Sequence, residues 1–249
     1  MGEGARDAGH LPNLRGADGP ADPYRLPRQR RGQTPQMHGR YPDYDVLDEI
    51  ADWDDLTRGV VLRRLHDVPS RRFFTEAEWD ALAAFCDVVL AQDSDPRIPV
   101  VAYIDEKLHA GRLDGYQYAD MPDDRDTWRL VLRGLDHTAT QGYQIGFAHC
   151  TDDQREAIVA QFAQGRLLGD AWDELNVTRA WSVVMRAALA AFYSHPWAWN
   201  EIGFGGPAYP RGFMRLGGPG ADGAAVREPF EKPGATDEDP VQVVDTWQS

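Results

Sequence analysis

Apolar residues in the middle of the chain recur at the spacing of an α-helix. The clearest case is "FFTEAEWDALAAFCDVVLA" (73–91), where apolar side chains return every three or four residues and so share one helical face. Thr75 and Glu78 form a T-x-x-E capping box in front of this face, which satisfies free amide donors at a helix N-terminus. The pattern therefore predicts a helix capped at Thr75 and ended by "DSDPRIP" (93–99).

The same period predicts further helices. One begins near Pro99, one covers "RDTWRLVLRGLDHTATQ" (125–141), one follows a second capping pair, Thr151 and Gln154, and the later part of 41–66 is also helical in pattern. The longest, roughly 173–194, stops at His195, because a residue before proline disfavours helical backbone. No strand-like alternation and no internal repeat is present in the sequence. We therefore predict an all-α fold, a helical bundle or array with extended N- and C-terminal tails.

Composition divides the chain into three parts. Residues 1–40 are rich in Gly, Pro and Arg and poor in large aliphatic side chains, which predicts a disordered basic arm. Residues 41–213 form the predicted helical domain, which ends in a loop of glycine, proline and aromatic residues. Residues 214–249 return to Gly, Pro and acidic residues without periodicity, which predicts an extended acidic tail.

The charge of the chain restricts its partners. The formal net charge is −14, although residues 1–40 carry seven arginines against four acidic residues. Such an acidic protein is not expected to bind nucleic acid, because phosphate binding needs a basic surface. No apolar run approaches the ~20 residues that span a bilayer, so we expect no direct membrane insertion. Arg30 and Arg31 are followed by a polar stretch instead of an apolar signal region. This favours a cytoplasmic location, with co-export to the periplasm beside a signal-bearing partner as the alternative.

The stretch "WAWNEIGFGGPAYPRG" (197–212) contains a possible cofactor motif. Gly203 to Ala208 spells G-x-G-x-x-A, the fingerprint of a dinucleotide-binding turn. In that turn a strand precedes the glycines and a helix follows them, whereas here a helix comes first and Pro207 and Pro210 follow. The motif is therefore interpreted as a tightly turned loop.

Other candidate chemistry is weaker still. His195 and Glu201 can serve as an acid–base pair, although a histidine beside a helix C-terminus is more often a cap. His137, His149 and Cys150 lack the spacing of metal ligands on a helix. No nucleophile elbow and no phosphate-binding loop is present. We predict no catalytic residue, no cofactor-binding residue and no metal ligand in this chain.

Aromatic side chains and arginine on a rigid loop are typical of protein interfaces, because little entropy is lost on docking. The 197–212 loop, together with two aromatic residues of the tail, therefore predicts a partner interface. An alternative, compatible with the first, is that the loop covers the core of its own bundle. The predicted interface residues are Trp197, Trp199, Asn200, Glu201, Phe204, Pro207, Tyr209, Arg211, Phe230 and Trp247.

The amino-acid sequences of these segments resemble those of one known family. "FYSHPWAWNEIGFGGPAYPRGF" (192–213) is similar to the C-terminal signature of the gluconate 2-dehydrogenase subunit 3 family. "FFTEAEWDALAAFCDVVLAQDSDP" and the following "VVAYIDEKL" are similar to the family's first two helices. The resemblance covers about residues 72–213.

The resemblance implies a function. Members are small, non-catalytic subunits of flavin-dependent dehydrogenases. Their large subunit resembles glucose–methanol–choline oxidoreductases, carries FAD and oxidises a sugar, a sugar acid or a related alcohol. A haem c subunit often takes the electrons onward and is a further partner that the resemblance implies. Many members carry a twin-arginine signal, from which this chain departs.

Two other interpretations stay open from the residues alone. One is a stand-alone enzyme that uses His195, Glu201 and Arg211. The other is a helical chaperone or adaptor that leaves its client after folding.

Overall fold

A computed structural model of the chain describes residues 46–92, 97–113, 117–202 and 204–207, and of residues 48, 49 and 201 it describes the backbone only. In these ranges every regular element is a helix and there is no β-strand, which confirms the all-α prediction. The helices are α1 (Asp55–His66), α2 (Glu76–Val89), α3 (Val100–His109), α4 (Asp124–Tyr143), α5 (Asp152–Ala163), α6 (Val177–Tyr193) and α7 (Pro196–Ile202). Two 3₁₀ segments, Val46–Asp52 and Phe147–His149, complete the described part.

Capping side chains define where these helices begin. The capping box predicted at Thr75 and Glu78 is present in both directions, and so is the one at Thr151 and Gln154. Asn176 caps α6, which therefore begins at Val177 and not near residue 173 as the period predicted. Because each cap satisfies amide donors within one turn, these boundaries are set by local sequence.

The main core surrounds α2, which packs against α3, α4, α5 and the 3₁₀ segment Phe147–His149. The ring of Phe85, fully buried at the centre of α2, lies edge-on to Trp128 of α4 and Trp181 of α6 at 6.4 and 6.2 Å between centroids. Phe162 of α5 lies 6.3 Å from the same ring. Aromatic rings from four helices therefore meet at one point, where edge-to-face geometry adds to the burial energy.

One carboxylate is buried within this core. Asp105 of α3 has no exposed surface, and its two oxygens accept hydrogen bonds from the amides of Arg72, Phe73 and Phe74 at 2.7 to 2.9 Å. These amides precede the cap of α2 and have no helical partner. Asp105 therefore fixes the segment that leads into α2 against α3.

A second, smaller core joins the two ends of the described chain. It consists of Val46, Trp53, Val61 and Trp199, with Phe204 among the residues packed around it. The N-terminal 3₁₀ segment thus packs on α1 and on α7, far from it in sequence.

Candidate functional site

The segment from Ser194 to Pro207 holds most of the residues that the sequence singled out. A loop was predicted from residue 197, but Pro196–Ile202 form the short helix α7, so that prediction is wrong for this part. Pro196 is the first helical residue, where its missing amide donor is tolerated and its fixed φ suits a helix. The chain therefore turns sharply between α6 and α7 and folds back on its own core.

His195 lies in that turn and is almost completely buried. Its Nδ1 accepts a hydrogen bond from the amide of Trp197 at 3.2 Å. Burial lowers the pKa of His195 to about 4. A hydrogen bond to the backbone of Arg64 favours the charged form and raises the pKa, but its effect is smaller than that of burial. The imidazole is therefore neutral near pH 7, which suits neither a charged helix cap nor an acid–base catalyst at that pH.

A small polar network surrounds this histidine. The hydroxyl of Tyr103 donates to the carbonyl of Arg64 at 2.5 Å, and Nη1 of Arg64 donates to the carbonyl of Ser194 at 2.7 Å. Burial lowers the pKa of Arg64 and raises the pKa of Tyr103 to about 12. Arg64 therefore places a positive charge beside a carbonyl at the C-terminus of α6, where a positive charge interacts favourably with the helix dipole.

Both tryptophans of the signature segment are buried in this chain. Trp197 belongs to the main core and Trp199 to the smaller one. The indole Nε1 of Trp199 donates to the carbonyl of Tyr193 at 2.6 Å, and its ring lies edge-on to Phe204 at 5.7 Å. These contacts match the interpretation in which the segment covers its own bundle.

Asn200 and Gly206 attach the segment to the N-terminal part of the chain. The amide of Val46 donates to Oδ1 of Asn200 at 2.7 Å, across 154 residues of sequence. Gly206 has a φ of +77°, and a Cβ there would lie 2.8 Å from Val46 and 2.9 Å from the ring of Trp53. This glycine of the apparent dinucleotide motif therefore serves close packing within the protein.

The structure describes only some of the other predicted interface residues. Phe204 and Pro207 are half-buried at the end of the described chain, and Glu201 is described in its backbone only. Tyr209, Arg211, Phe230 and Trp247 lie outside the described residues. The structure thus brings Trp199, Asn200 and Phe204 together, and partner contact stays a prediction for the whole set.

Sequence reasoning missed a basic cleft beside this segment. A cleft of about 1040 Å³ lies between α1, α3 and α6, and Ser194 is part of its wall. Its basic lining residues are Arg63, Arg64, His66, Arg72, Lys107 and Arg112, and its acidic ones are Asp67 and Glu106. Four of these six residues come from the basic stretch "RRLHDVPSRR" (63–72), which is a local signal in an acidic chain, whereas Lys107 and Arg112 join them only in the folded structure.

The described residues also bear on metal binding and on membrane insertion. Within those ranges, no three His, Cys, Asp or Glu side chains come together as a potential metal site. Cys86 and Cys150 are both buried free thiols, and burial raises the pKa of each. Among the helices described, none combines the length and apolar character needed to cross a bilayer.

Comparison with known proteins identifies a family that includes most of the signature segment in its match. A family model described as gluconate 2-dehydrogenase subunit 3 matches residues 76–206, more than half of the chain. The protein belongs to the class of dehydrogenase subunits, and specifically to the gluconate 2-dehydrogenase subunit 3 family. A subunit of such a complex implies a catalytic partner. No curated protein and no solved structure matches the chain significantly.

Proposed function

We propose that this chain is a non-catalytic accessory subunit. It binds and stabilises a glucose–methanol–choline-type dehydrogenase that carries FAD and oxidises a sugar, a sugar acid or a related alcohol. Membership of the subunit family over residues 76–206 is the observation that carries the proposal.

The state of His195 favours this role over a stand-alone enzyme. An acid–base catalyst must reach its substrate and exchange a proton near the working pH. His195 is 2% exposed, and its pKa is lowered to about 4. Its hydrogen bond to the Trp197 amide instead holds the turn between α6 and α7.

Purification of the tagged full-length chain from its native cells tests the proposal. We expect a large flavoprotein to remain bound in a fixed ratio, with FAD absorbance in the complex and sugar- or alcohol-dependent dye reduction. The chain purified alone should be colourless and inactive. Flavin bound to the isolated chain contradicts the proposal, and a client released after folding indicates a chaperone.

Interface variants test the predicted contact residues. Trp197 and Trp199 are unsuitable because both are buried in this chain, so their loss would damage the fold. Tyr209→Ala with Arg211→Ala should weaken flavoprotein binding about tenfold or more, as for aromatic and arginine anchors at interfaces. Leu168→Ala, on a side chain that is 86% exposed, is the control and should leave binding unchanged.

A further inference from the structure

The cleft between α1, α3 and α6 differs in charge from the rest of the molecule. The chain as a whole carries −14, yet this cleft is lined by four arginines and one lysine against two acidic residues. A basic concavity in an acidic protein focuses a positive potential at one place. An acidic partner is repelled by most of the surface and attracted here, so the charge pattern selects both a site and an orientation.

Part of this positive charge is already engaged within the chain. Arg112 pairs with Glu106 at 3.2 Å, and Arg64 donates to the carbonyl of Ser194. Arg63 and Arg72 are exposed, and neither guanidinium has an ion pair with another residue in the described ranges. These two side chains are therefore available to carboxylates from outside.

The cleft also presents apolar surface to solvent. Val60 of α1 is 41% exposed, and Val68, just beyond the end of α1, is 56% exposed. Ala190 and Ala191 of α6 form the opposite wall. A small hydrophilic anion needs no apolar contact, whereas a peptide segment buries such side chains as part of its affinity. The volume of about 1040 Å³ is at the upper end for a small-molecule pocket and suits a peptide.

We propose that this cleft receives an acidic segment of the catalytic subunit, with carboxylates facing Arg63 and Arg72 and apolar side chains covering Val60 and Val68. This inference rests on the accessory role proposed above. The cleft adjoins the signature segment through Ser194, and Arg64 lies 5.9 Å from the ring of Trp199. The cleft therefore lies directly beside the signature segment.

The test uses the full-length chain and the flavoprotein that co-purifies with it. Arg63→Glu with Arg72→Glu should raise the Kd of the complex about tenfold or more at low salt, because two attractions become repulsions. The wild-type Kd should rise between about 50 mM and about 300 mM NaCl, and this salt dependence should be smaller in the variant. Val68→Ser should weaken binding while leaving the salt dependence unchanged.

Matched controls separate the cleft from general effects. Arg166→Glu reverses a charge at an exposed position away from the cleft and should bind nearly as wild type, whereas Arg63→Glu and Arg72→Glu, which each change the net charge by the same amount, should bind more weakly. Circular dichroism checks that every variant is folded. Leu168→Ser is the control for Val68→Ser.

The outcomes distinguish this inference from the proposed function. If the wild-type chain forms no complex, the accessory role itself fails. If the complex forms and Arg63→Glu with Arg72→Glu binds as well as Arg166→Glu, the cleft proposal alone is overturned. It is also overturned if removal of residues 230–249 abolishes the effect of the cleft variants, since the cleft then binds the acidic tail of this chain and not the partner. If citrate protects the isolated chain against thermal unfolding and the cleft variants do not affect the complex, the cleft is a small-anion site instead.

Discussion

His195 links the turn after α6 to the backbone of α1, and its charge state affects stability. Its pKa in the folded chain is about 4, below the ordinary value of 6.5. Between these two pH values the unfolded chain takes up a proton that the folded chain does not. We therefore expect this contribution to be complete above about pH 6.5 and to be lost as the pH falls to about 4, by about 3 kcal/mol in the free energy of unfolding. Urea unfolding at a series of pH values measures it.

Two variants isolate this contribution from the carboxylates that also titrate at low pH. His195→Gln keeps a polar side chain without the titration, so its stability should fall less than that of wild type between pH 6.5 and 4. Gln141→Ala, at an exposed side chain of α4 that does not titrate, should keep the wild-type pH dependence. Parallel curves for wild type and His195→Gln would show that this residue does not titrate as described.

Gly206 is a second residue whose substitution has a definite expected result. Its φ of +77° disfavours any side chain, and a Cβ would collide with Val46 and Trp53. Gly206→Ala should therefore reduce the free energy of unfolding by about 2–4 kcal/mol, from backbone strain together with overpacking. Chemical denaturation gives the value.

Gly169→Ala is the matched control for that prediction. Gly169 also has a positive φ, +108°, but nothing lies within 4 Å of the position of its Cβ. This variant should lose only the backbone part, about 1–2 kcal/mol. Equal losses at the two glycines would contradict the packing role of Gly206.

At the scale of elements, Asp105 holds the segment that leads into α2 against α3. Asp105→Asn replaces one carboxylate oxygen with an amide nitrogen that cannot accept, so at least one of the three backbone amide donors loses its partner. We expect a loss of about 2–4 kcal/mol in the free energy of unfolding, because charge-assisted bonds to buried amides are strong. Asp153→Asn, at an exposed residue of α5, should change stability little; a similar loss there would argue against the role of Asp105.

The sequence predicted those elements whose signals are local. The boxes at Thr75 and Thr151 act within one turn, and the apolar period of α2 and α4 reports directly on the buried face. Helix α7 was missed because its tryptophans and the glycines that follow it resemble a loop in composition. Its burial depends on contacts with Val46, which no local pattern contains.

The candidate site was predictable only in part for the same reason. The sequence identified the signature segment by its unusual composition, but not that Trp199 and Asn200 contact the N-terminal part of the chain. No sequence pattern distinguishes Asp105 from the other polar residues of α3. The basic cleft required the spatial meeting of α1, α3 and α6.

At the scale of the whole molecule, two cores of unequal size hold the chain together. The main core contains residues of helices α2, α3, α4, α5 and α6 and of part of α7. The smaller core consists of only four buried residues, two of which are Trp53 and Trp199. Fewer buried contacts mean a lower free energy of local opening. Hydrogen exchange of the amides of Val46 and Trp53 should therefore report an opening free energy at least about 2 kcal/mol below that of the Phe85 amide.

A pair of asparagine variants tests whether the signature segment controls this opening. Asn200→Ala removes the acceptor of the Val46 amide and should speed its exchange about tenfold, while α2 keeps its protection. Asn176→Ala removes the cap of α6 in the main core by the same chemical change and should leave the Val46 amide as in wild type. If both variants affect Val46 equally, the two cores open as one unit. If only Asn200→Ala does, the segment from Ser194 to Pro207 controls how firmly residues 46–53 are held against α7.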